Sequence, residues 1–187
     1  MPGGRPIPPD GNRESAISER RRAPLAILFS VVILDLIGFG IVMPVLPAWA
    51  KEFGASGLVY GLIQSGYAVT QFAFAPVWGR LSDRFGRRPI LLMTVAGTSA
   101  SLVWLGLAQS LEALFAARLL AGAFAANIGV ASAYITDVTD DAERTRWMGL
   151  LGASFGIGFV LGPAIGALLV PFGHAVPMLF AGGLAAV

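Results

Sequence analysis

Long apolar runs separated by short charged clusters constrain this chain more than any other feature of its sequence. Hydrophobic residues make up 56% of the 187 residues and charged residues 13%, and the mean hydropathy is +0.73. Soluble proteins carry about 25% charged residues. A hydrocarbon core about 30 Å thick is crossed by about 20 apolar residues in a helix. The sequence therefore predicts an all-α membrane protein.

The charged clusters divide the apolar sequence into five complete predicted helices and one incomplete helix. These helices span about 24–47, 56–78, 89–108, 113–135, 147–169 and 175–187. The last segment corresponds to only about 20 Å of helix, which is too short to cross a bilayer. Residues 1–22 are rich in proline, glycine and arginine and predict a disordered tail, so that 23–187 form the transmembrane bundle.

The distribution of lysine and arginine predicts the orientation. Five lie in the tail, four in the loop after helix 2 and two in the loop after helix 4, whereas only Lys51 lies on the opposite side. This bias places the N-terminus in the cytoplasm of a multi-pass plasma-membrane protein. A signal peptide is the alternative interpretation of the start, because Arg20–Arg22, an apolar run and Ala48–Ala50 imitate its three regions. The length of that run and the later spanning segments favour a first transmembrane helix.

Composition excludes several classes of function. The chain has no cysteine and one histidine, which removes disulfide frameworks, thiol catalysis, iron–sulfur clusters and imidazole metal clusters. Its basic residues form short clusters rather than a basic face, so nucleic acid is not an expected partner. We expect neither a cofactor nor a metal ion.

One motif imitates a serine protease. Gly152–Gly156 matches G-x-S-x-G, and His174 is the single histidine. A nucleophile elbow requires a turn between a strand and a helix, whereas this serine lies in the middle of a predicted helix. His174 follows about 30 Å further along the same helix axis. We therefore expect no enzyme.

Two charged side chains and two amides lie inside the predicted membrane segments. An ionised group near the bilayer centre costs about 2.5 to 3.5 kcal/mol on insertion scales, so the position of Asp35 and Arg118 inside the membrane needs an explanation. A carboxyl group in a poorly hydrated cavity can exchange a proton, which makes Asp35 a candidate proton site. Arg118 either serves the same pathway or has a structural role. In a structural role it forms an ion pair, or its guanidinium extends toward the membrane surface and bonds backbone carbonyls. Gln71 and Asn127 either contact substrate or join helices.

Predicted helix 5 carries glycines four residues apart. Small residues at this spacing allow another helix to approach closely, and a proline within the run predicts a kink. The residues are Gly158, Gly162, Pro163 and Gly166, with Gly149 and Gly152 nearer the start of the helix.

The loop after helix 2 resembles the signature of the major facilitator superfamily, G-x-L-a-D-R-x-G-R-R/K. It runs from Gly79 to Pro89. As a cytoplasmic latch, its glycines would allow a tight turn and its aspartate would meet an arginine or a helix N-terminus. The predicted latch residues are Gly79, Asp83, Arg84, Gly86, Arg87 and Arg88.

Two further segments resemble the proton-driven drug antiporters of that superfamily. One begins at Leu114 and contains Arg118, Ala121 and Gly122, and the other runs from Gly158 to Ala167. Segments in helices 1 and 5 and the latch are also similar to those of bacterial tetracycline exporters, although Val103 stands where that group has an acidic residue.

The resemblance implies the N-terminal six-helix half of a major facilitator fold, with its sixth helix truncated. It implies proton-coupled export of small amphipathic molecules, with Asp35 as the proton site and Arg118 as its electrostatic partner. The partners implied are a small-molecule substrate, protons, the lipid bilayer and a C-terminal six-helix half. A sugar, metabolite or siderophore carrier of the same fold, or a non-transporting fragment or scaffold, remains as an alternative.

Overall fold

The protein is a bundle of helices in a computed structural model that describes residues 11–185, without the side chains of 11–24, 26 and 142. Within those residues every regular element is helical. A short 3-10 turn, Val170–Phe172, precedes the last helix. The helices are α1 Gly11–Glu52, α2 Gly57–Phe85, α3 Arg87–Gly106, α4 Leu111–Phe124, α5 Asn127–Val138, α6 Asp141–Leu169 and α7 Ala175–Ala185.

The predicted apolar segments all become helices, but the start of the chain differs from the prediction. The backbone of 11–22, predicted to be a disordered tail, is helical and continuous with α1. Glutamate, alanine and arginine are good helix formers, and adding residues to an existing helix avoids the cost of nucleation. Residues 1–10 and 186–187 lie outside the described residues.

Predicted helix 4 is interrupted, which corrects the continuous segment 113–135. α4 ends at Phe124 and α5 begins at Asn127. Two side chains of α2 donate to carbonyl groups at the break, Gln71 Nε2 to Ala125 O at 3.2 Å and Trp78 Nε1 to Ala123 O at 2.6 Å. Irregular backbone at membrane depth is tolerated where protein groups satisfy it. The break therefore depends on a neighbouring helix.

The most extensive helix contact joins α1 to α6, and glycines make it close. A Cβ atom on Gly162 would lie 2.5 Å from Gly40 Cα, and one on Gly158 would lie 2.7 Å from Leu36 Cβ. Real Cβ atoms do not approach this closely, so a side chain at either position would force the helices apart. The spacing of four residues puts both glycines on the same face of α6.

Glycine also sets the contacts between the other helices. A Cβ atom on Gly122 of α4 would collide with Tyr67 O and Thr70 Oγ1 of α2. On Gly182 of α7 it would lie 2.8 Å from Val103 Cγ2. Ser99 Oγ donates to Gly182 O at 2.6 Å, which ties α3 to α7.

Four helical segments are long and apolar enough to cross a membrane: Ile27–Glu52, Arg87–Gly106, Leu111–Val138 and Glu143–Phe172. The third of these includes both α4 and α5. α2 is 29 residues long but is not among the four, and α7 is a shorter apolar helix. The chain therefore has the construction of a multi-pass membrane protein.

Candidate functional site

Arg118 of α4 is buried, with 2% of its surface exposed, and neutral groups of α2 surround it. Its Nη2 donates to Gln64 Oε1 at 2.8 Å. Its Cζ lies 4.2 Å from the centroid of the Tyr67 ring, a cation–π contact. Its Nε is buried without a hydrogen-bond partner. These contacts hold the guanidinium in one place without neutralising its charge.

Asp35 of α1 is partly exposed and meets a different environment. Its carboxylate interacts with the side chain of Asn127, the first residue of α5. Asn127 is 1% exposed, yet neither its Nδ2 nor its Oδ1 has a hydrogen bond of standard geometry. Asp35 and Asn127 are therefore neighbours whose polar atoms are incompletely satisfied.

The expected pairing of Asp35 with Arg118 is absent from the structure. The ion pairs among the described residues include neither side chain. Tyr67 lies within electrostatic range of both groups, and its ring packs against Phe39 with centroids 6.0 Å apart. Because Gln64 and Tyr67 of α2 engage the guanidinium, the arginine is held toward α2 rather than toward α1.

Gln71 of α2 and Asn127 of α5, the two predicted amides of the pathway, both lie at the α4–α5 break. Gln71 bonds the backbone of the break itself, which is the helix-joining role that the sequence left open. Asn127 instead faces the Asp35 carboxylate. The break thus brings one of the two amides to the intramembrane carboxyl group and gives the other a structural bond.

Residues of the predicted latch contact one another around Arg87. Its Nη1 lies 2.7 Å from Asp83 Oδ1 and donates to Ser82 Oγ at 2.6 Å, while its Nε lies 2.9 Å from Asp137 Oδ2. Arg88 Nη2 donates to Tyr134 OH at 3.3 Å. Asp83 therefore meets an arginine, one of the two partners expected for it. The latch joins the end of α2 and the start of α3 to the end of α5.

The other motif residues have distinct roles in this arrangement. Gly86 connects α2 to α3 with φ of 96°, a conformation that glycine adopts most readily. Gly79 lies within α2, and a Cβ atom there would meet nothing within 4 Å, so no tight turn requires it. Its carbonyl accepts from Ser82 Oγ at 2.8 Å. The guanidinium of Arg84 lies 5.3 Å from the Phe85 ring centroid.

The glycines of predicted helix 5 separate into two groups. Gly158, Gly162 and Gly166 face α1, whereas added Cβ atoms on Gly149 and Gly152 would meet nothing within 4 Å. Pro163 lies inside α6, which continues through it to Leu169. The antiporter-like motif therefore forms the α1–α6 contact in this structure.

The protease-like residues do not come together. Ser154 Oγ donates to Leu150 O at 3.0 Å within its own helix. His174 Nδ1 instead lies 3.2 Å from Glu52 Oε2, and its ring stacks on Trp49 with centroids 6.4 Å apart. The serine thus lacks the histidine that a nucleophile requires.

Three contact residues of the site were not predicted from the sequence. Gln64 and Tyr67 hold the buried arginine, and Trp78 bonds the break. Gln64 and Gln71 lie seven residues apart on one helix, and two turns of spacing indicate a shared face. That spacing was the available signal for Gln64.

Comparison with known proteins gives a consistent family. The sequence profile of the Major Facilitator Superfamily matches residues 28–187. The class E tetracycline resistance protein of Escherichia coli is 40% identical over 82% of this chain and 39% of its own length. The class C protein of Escherichia coli is 42% identical over 84% of this chain and 40% of its own length.

Two proteins of lower sequence identity indicate the same family. Multidrug resistance protein 1 of Bacillus subtilis (strain 168) is 34% identical over 89% of this chain and 43% of its own length. The crystal structure of the human organic anion transporter MFSD10 (TETRAN) superposes with a TM-score of 0.78, at 27% identity, over 89% of this chain and 46% of that one. The chain spans about two-fifths of the length of the curated relatives it matches. It belongs to the major facilitator superfamily, a family of transporters rather than of enzymes.

Proposed function

We propose that this chain is the N-terminal half of a proton-coupled exporter of small amphipathic molecules. Its relatives include proteins named for tetracycline resistance and for multidrug resistance, which supports export of compounds of that kind. A major facilitator transporter binds its substrate near the membrane midplane between two halves. The function therefore requires a C-terminal six-helix half as the partner of this bundle.

The separation of Asp35 from Arg118 is the observation that carries this proposal. An intramembrane carboxylate paired with an arginine would be held ionised by the adjacent positive charge. Here Gln64 and Tyr67 contact the arginine, whereas the ion pairs among the described residues do not include Asp35, and its carboxyl group lies beside the neutral amide of Asn127. A carboxyl group without a fixed cation is free to bind a proton. Asp35 is the proton site in this proposal.

The proposed orientation places the latch and the N-terminus in the cytoplasm, following the bias of lysine and arginine. These 187 residues contain no cysteine, so single cysteines are introduced at the exposed residues Arg80 and Ser56, with any cysteine beyond residue 187 replaced by serine. An impermeant thiol reagent applied to intact cells should label position 56 and not position 80. Labelling of position 80 alone would reverse the orientation.

Gradient-driven transport tests the function directly. The full-length protein is reconstituted in proteoliposomes, and uphill transport of a tetracycline and of a cationic dye is measured under an imposed pH gradient. Asp35→Asn should bind substrate yet lose uphill transport, because the amide cannot exchange a proton. Glu52→Gln removes an acid from the outer end of the same helix and should transport normally.

Two outcomes would contradict the proposal. Uphill transport by Asp35→Asn at the wild-type rate would remove Asp35 from the proton pathway. Transport of neither drug by the wild-type protein, with uptake of a sugar or siderophore instead, would favour the alternative carrier function. Sequencing the gene beyond the codon for Val187 distinguishes an exporter or another carrier from a non-transporting scaffold, since an exporter requires six more spanning segments.

A further inference from the structure

α5 is a short helix with polar neighbours at both of its ends. At its start the Asn127 side chain lies beside the Asp35 carboxyl group, while Gln71 donates to the backbone of the adjacent break. At its end Asp137 Oδ2 lies 2.9 Å from Arg87 Nε. Asn127 and Asp137 are ten residues apart in this helix, which corresponds to about 15 Å along its axis. One rigid element therefore connects the intramembrane carboxyl group to the cytoplasmic latch.

The start of α5 has no cap of its own. Its N-cap residue is Ala126, which makes no side-chain hydrogen bond, and its first turn contains no acidic residue. The N-terminus of a helix carries a partial positive charge that favours a nearby anion. The Asp35 carboxyl group lies beside Asn127, the first residue of this helix, so we expect an ionised Asp35 to stabilise the start of α5 more than a protonated one.

Asn127 is suited to respond to that change. Its Nδ2 can donate to an ionised carboxylate, and its Oδ1 can accept from a protonated one. Both atoms are buried without a hydrogen bond of standard geometry, and a buried amide in that condition gains from any partner that approaches. The side chain beside Asp35 also belongs to the first residue after the break between α4 and α5.

We propose that Asn127 is a positioning residue that couples protonation of Asp35 to the cytoplasmic latch, with α5 as the moving element. An ionised Asp35 holds the start of α5 through Asn127 and the helix N-terminus. Protonation weakens this hold, α5 turns at the Ala125–Ala126 break, and Asp137 moves away from Arg87. This inference rests on the proposed function, because it requires that Asp35 bind the transported proton.

Few other titratable groups face Asp35 from the helices packed against α1. Tyr67 of α2 lies within electrostatic range. The charged residues of α6 lie in its first six positions, 141–146, and α7 contains none. The titratable side chains of α5 are Tyr134 and Asp137, which belong to the latch end. A response to pH that disappears in Asp35→Asn is therefore assigned to Asp35.

A distance measurement across the latch tests this coupling. Arg80 and Thr136 are exposed near the ends of α2 and α5, and neither is among the latch contacts to Arg87. Cysteines at both positions of the full-length protein carry nitroxide labels, and pulsed electron paramagnetic resonance gives the distance distribution in alkaline and acidic buffer. Uphill transport of the same unlabelled variants is measured in proteoliposomes.

The wild-type background should show a longer distance in acidic buffer, and Asp35→Asn should show no difference between the two buffers. Asn127→Leu, which preserves volume, and Asn127→Ala, which avoids overpacking, should both lose the acidic shift and the uphill transport. Both should still bind substrate, which shows that they are folded. Gly129→Ala on the same helix adds a methyl group where nothing lies within 4 Å and should shift normally.

The outcomes separate this inference from the proposed function. If either Asn127 variant that binds substrate keeps the full acidic shift while Asp35→Asn loses it, Asn127 does not couple the two sites and the proton assignment stands. A wild-type protein with no shift at all overturns the role of α5. Normal uphill transport by Asp35→Asn overturns the proposed function itself, whatever the distances show.

Discussion

The two charged side chains inside the membrane are held in opposite ways. Arg118 is almost fully buried, is bonded to Gln64, and lies over the face of Tyr67. Asp35 is partly exposed, takes no part in the ion pairs of the described residues, and meets an amide that is itself unsatisfied. Within the part of the chain that the structure describes, Arg118 has specific partners, whereas Asp35 has few.

We expect this difference to separate a structural charge from a functional one. A buried cation that is bonded and stacked contributes to the packing of the helices that hold it, and here it joins α4 to α2. A carboxyl group with few partners contributes little to packing, but its charge can change at little cost to the fold. Stability should therefore depend on Arg118, while proton-linked transport should depend on Asp35.

The comparison can be tested through the free energy of unfolding in mixed detergent micelles. Arg118→Ala should lower it by about 2 kcal/mol, because Gln64 loses its partner and Tyr67 loses its cation. Asp35→Asn should change it by less than about 0.5 kcal/mol, since no ion pair is lost. Similar losses in the two variants would show that Asp35 is also a structural residue.

The ring of Tyr67 offers a finer test of how Arg118 is held. Tyr67→Leu should lower the free energy of unfolding by about 1 kcal/mol through loss of the cation–π contact. Tyr67→Phe retains the aromatic face and serves as the matched control, with a smaller loss. If the two substitutions are equally destabilising, the hydroxyl group rather than the ring face stabilises the site.

The sequence predicted the parts of this structure that depend on local pattern. Apolar length located the helices, and the glycine spacing located a face of α6 that another helix approaches closely. The latch motif predicted an arginine as one of two possible partners of Asp83, and the structure has Arg87 there. These features depend on residues that are close in sequence or that repeat with the helical period. Gly158 and Gly162 are examples, since their spacing alone places them on one face.

The sequence did not predict features that depend on which helices become neighbours. Nothing within residues 111–138 marks the break after Phe124, because its stabilising groups, Gln71 and Trp78, belong to another helix. Likewise, Arg118 had several possible polar partners at membrane depth, and only the packing of α2 on α4 selects Gln64. Tertiary contacts decided both cases.

The smallest expected effect concerns coupling between the two charges. The free energy of unfolding is compared for Arg118→Ala in the wild-type and in the Asp35→Asn backgrounds. Groups that share no contact give additive effects within about 0.3 to 0.5 kcal/mol, whereas contacting groups deviate by about 0.5 to 3 kcal/mol. Since Arg118 is bonded to Gln64 and not to Asp35, the cycle should be additive.

Tyr67 is the route by which additivity could fail, because it lies within electrostatic range of both charges. Repeating the cycle with Tyr67→Phe present separates this route from a direct ion pair. A coupling that disappears with the hydroxyl group is transmitted by the tyrosine, and the two charges still have separate roles. A coupling that persists there would mean that Asp35 and Arg118 interact directly, and their contrasting surroundings would no longer separate a functional charge from a structural one.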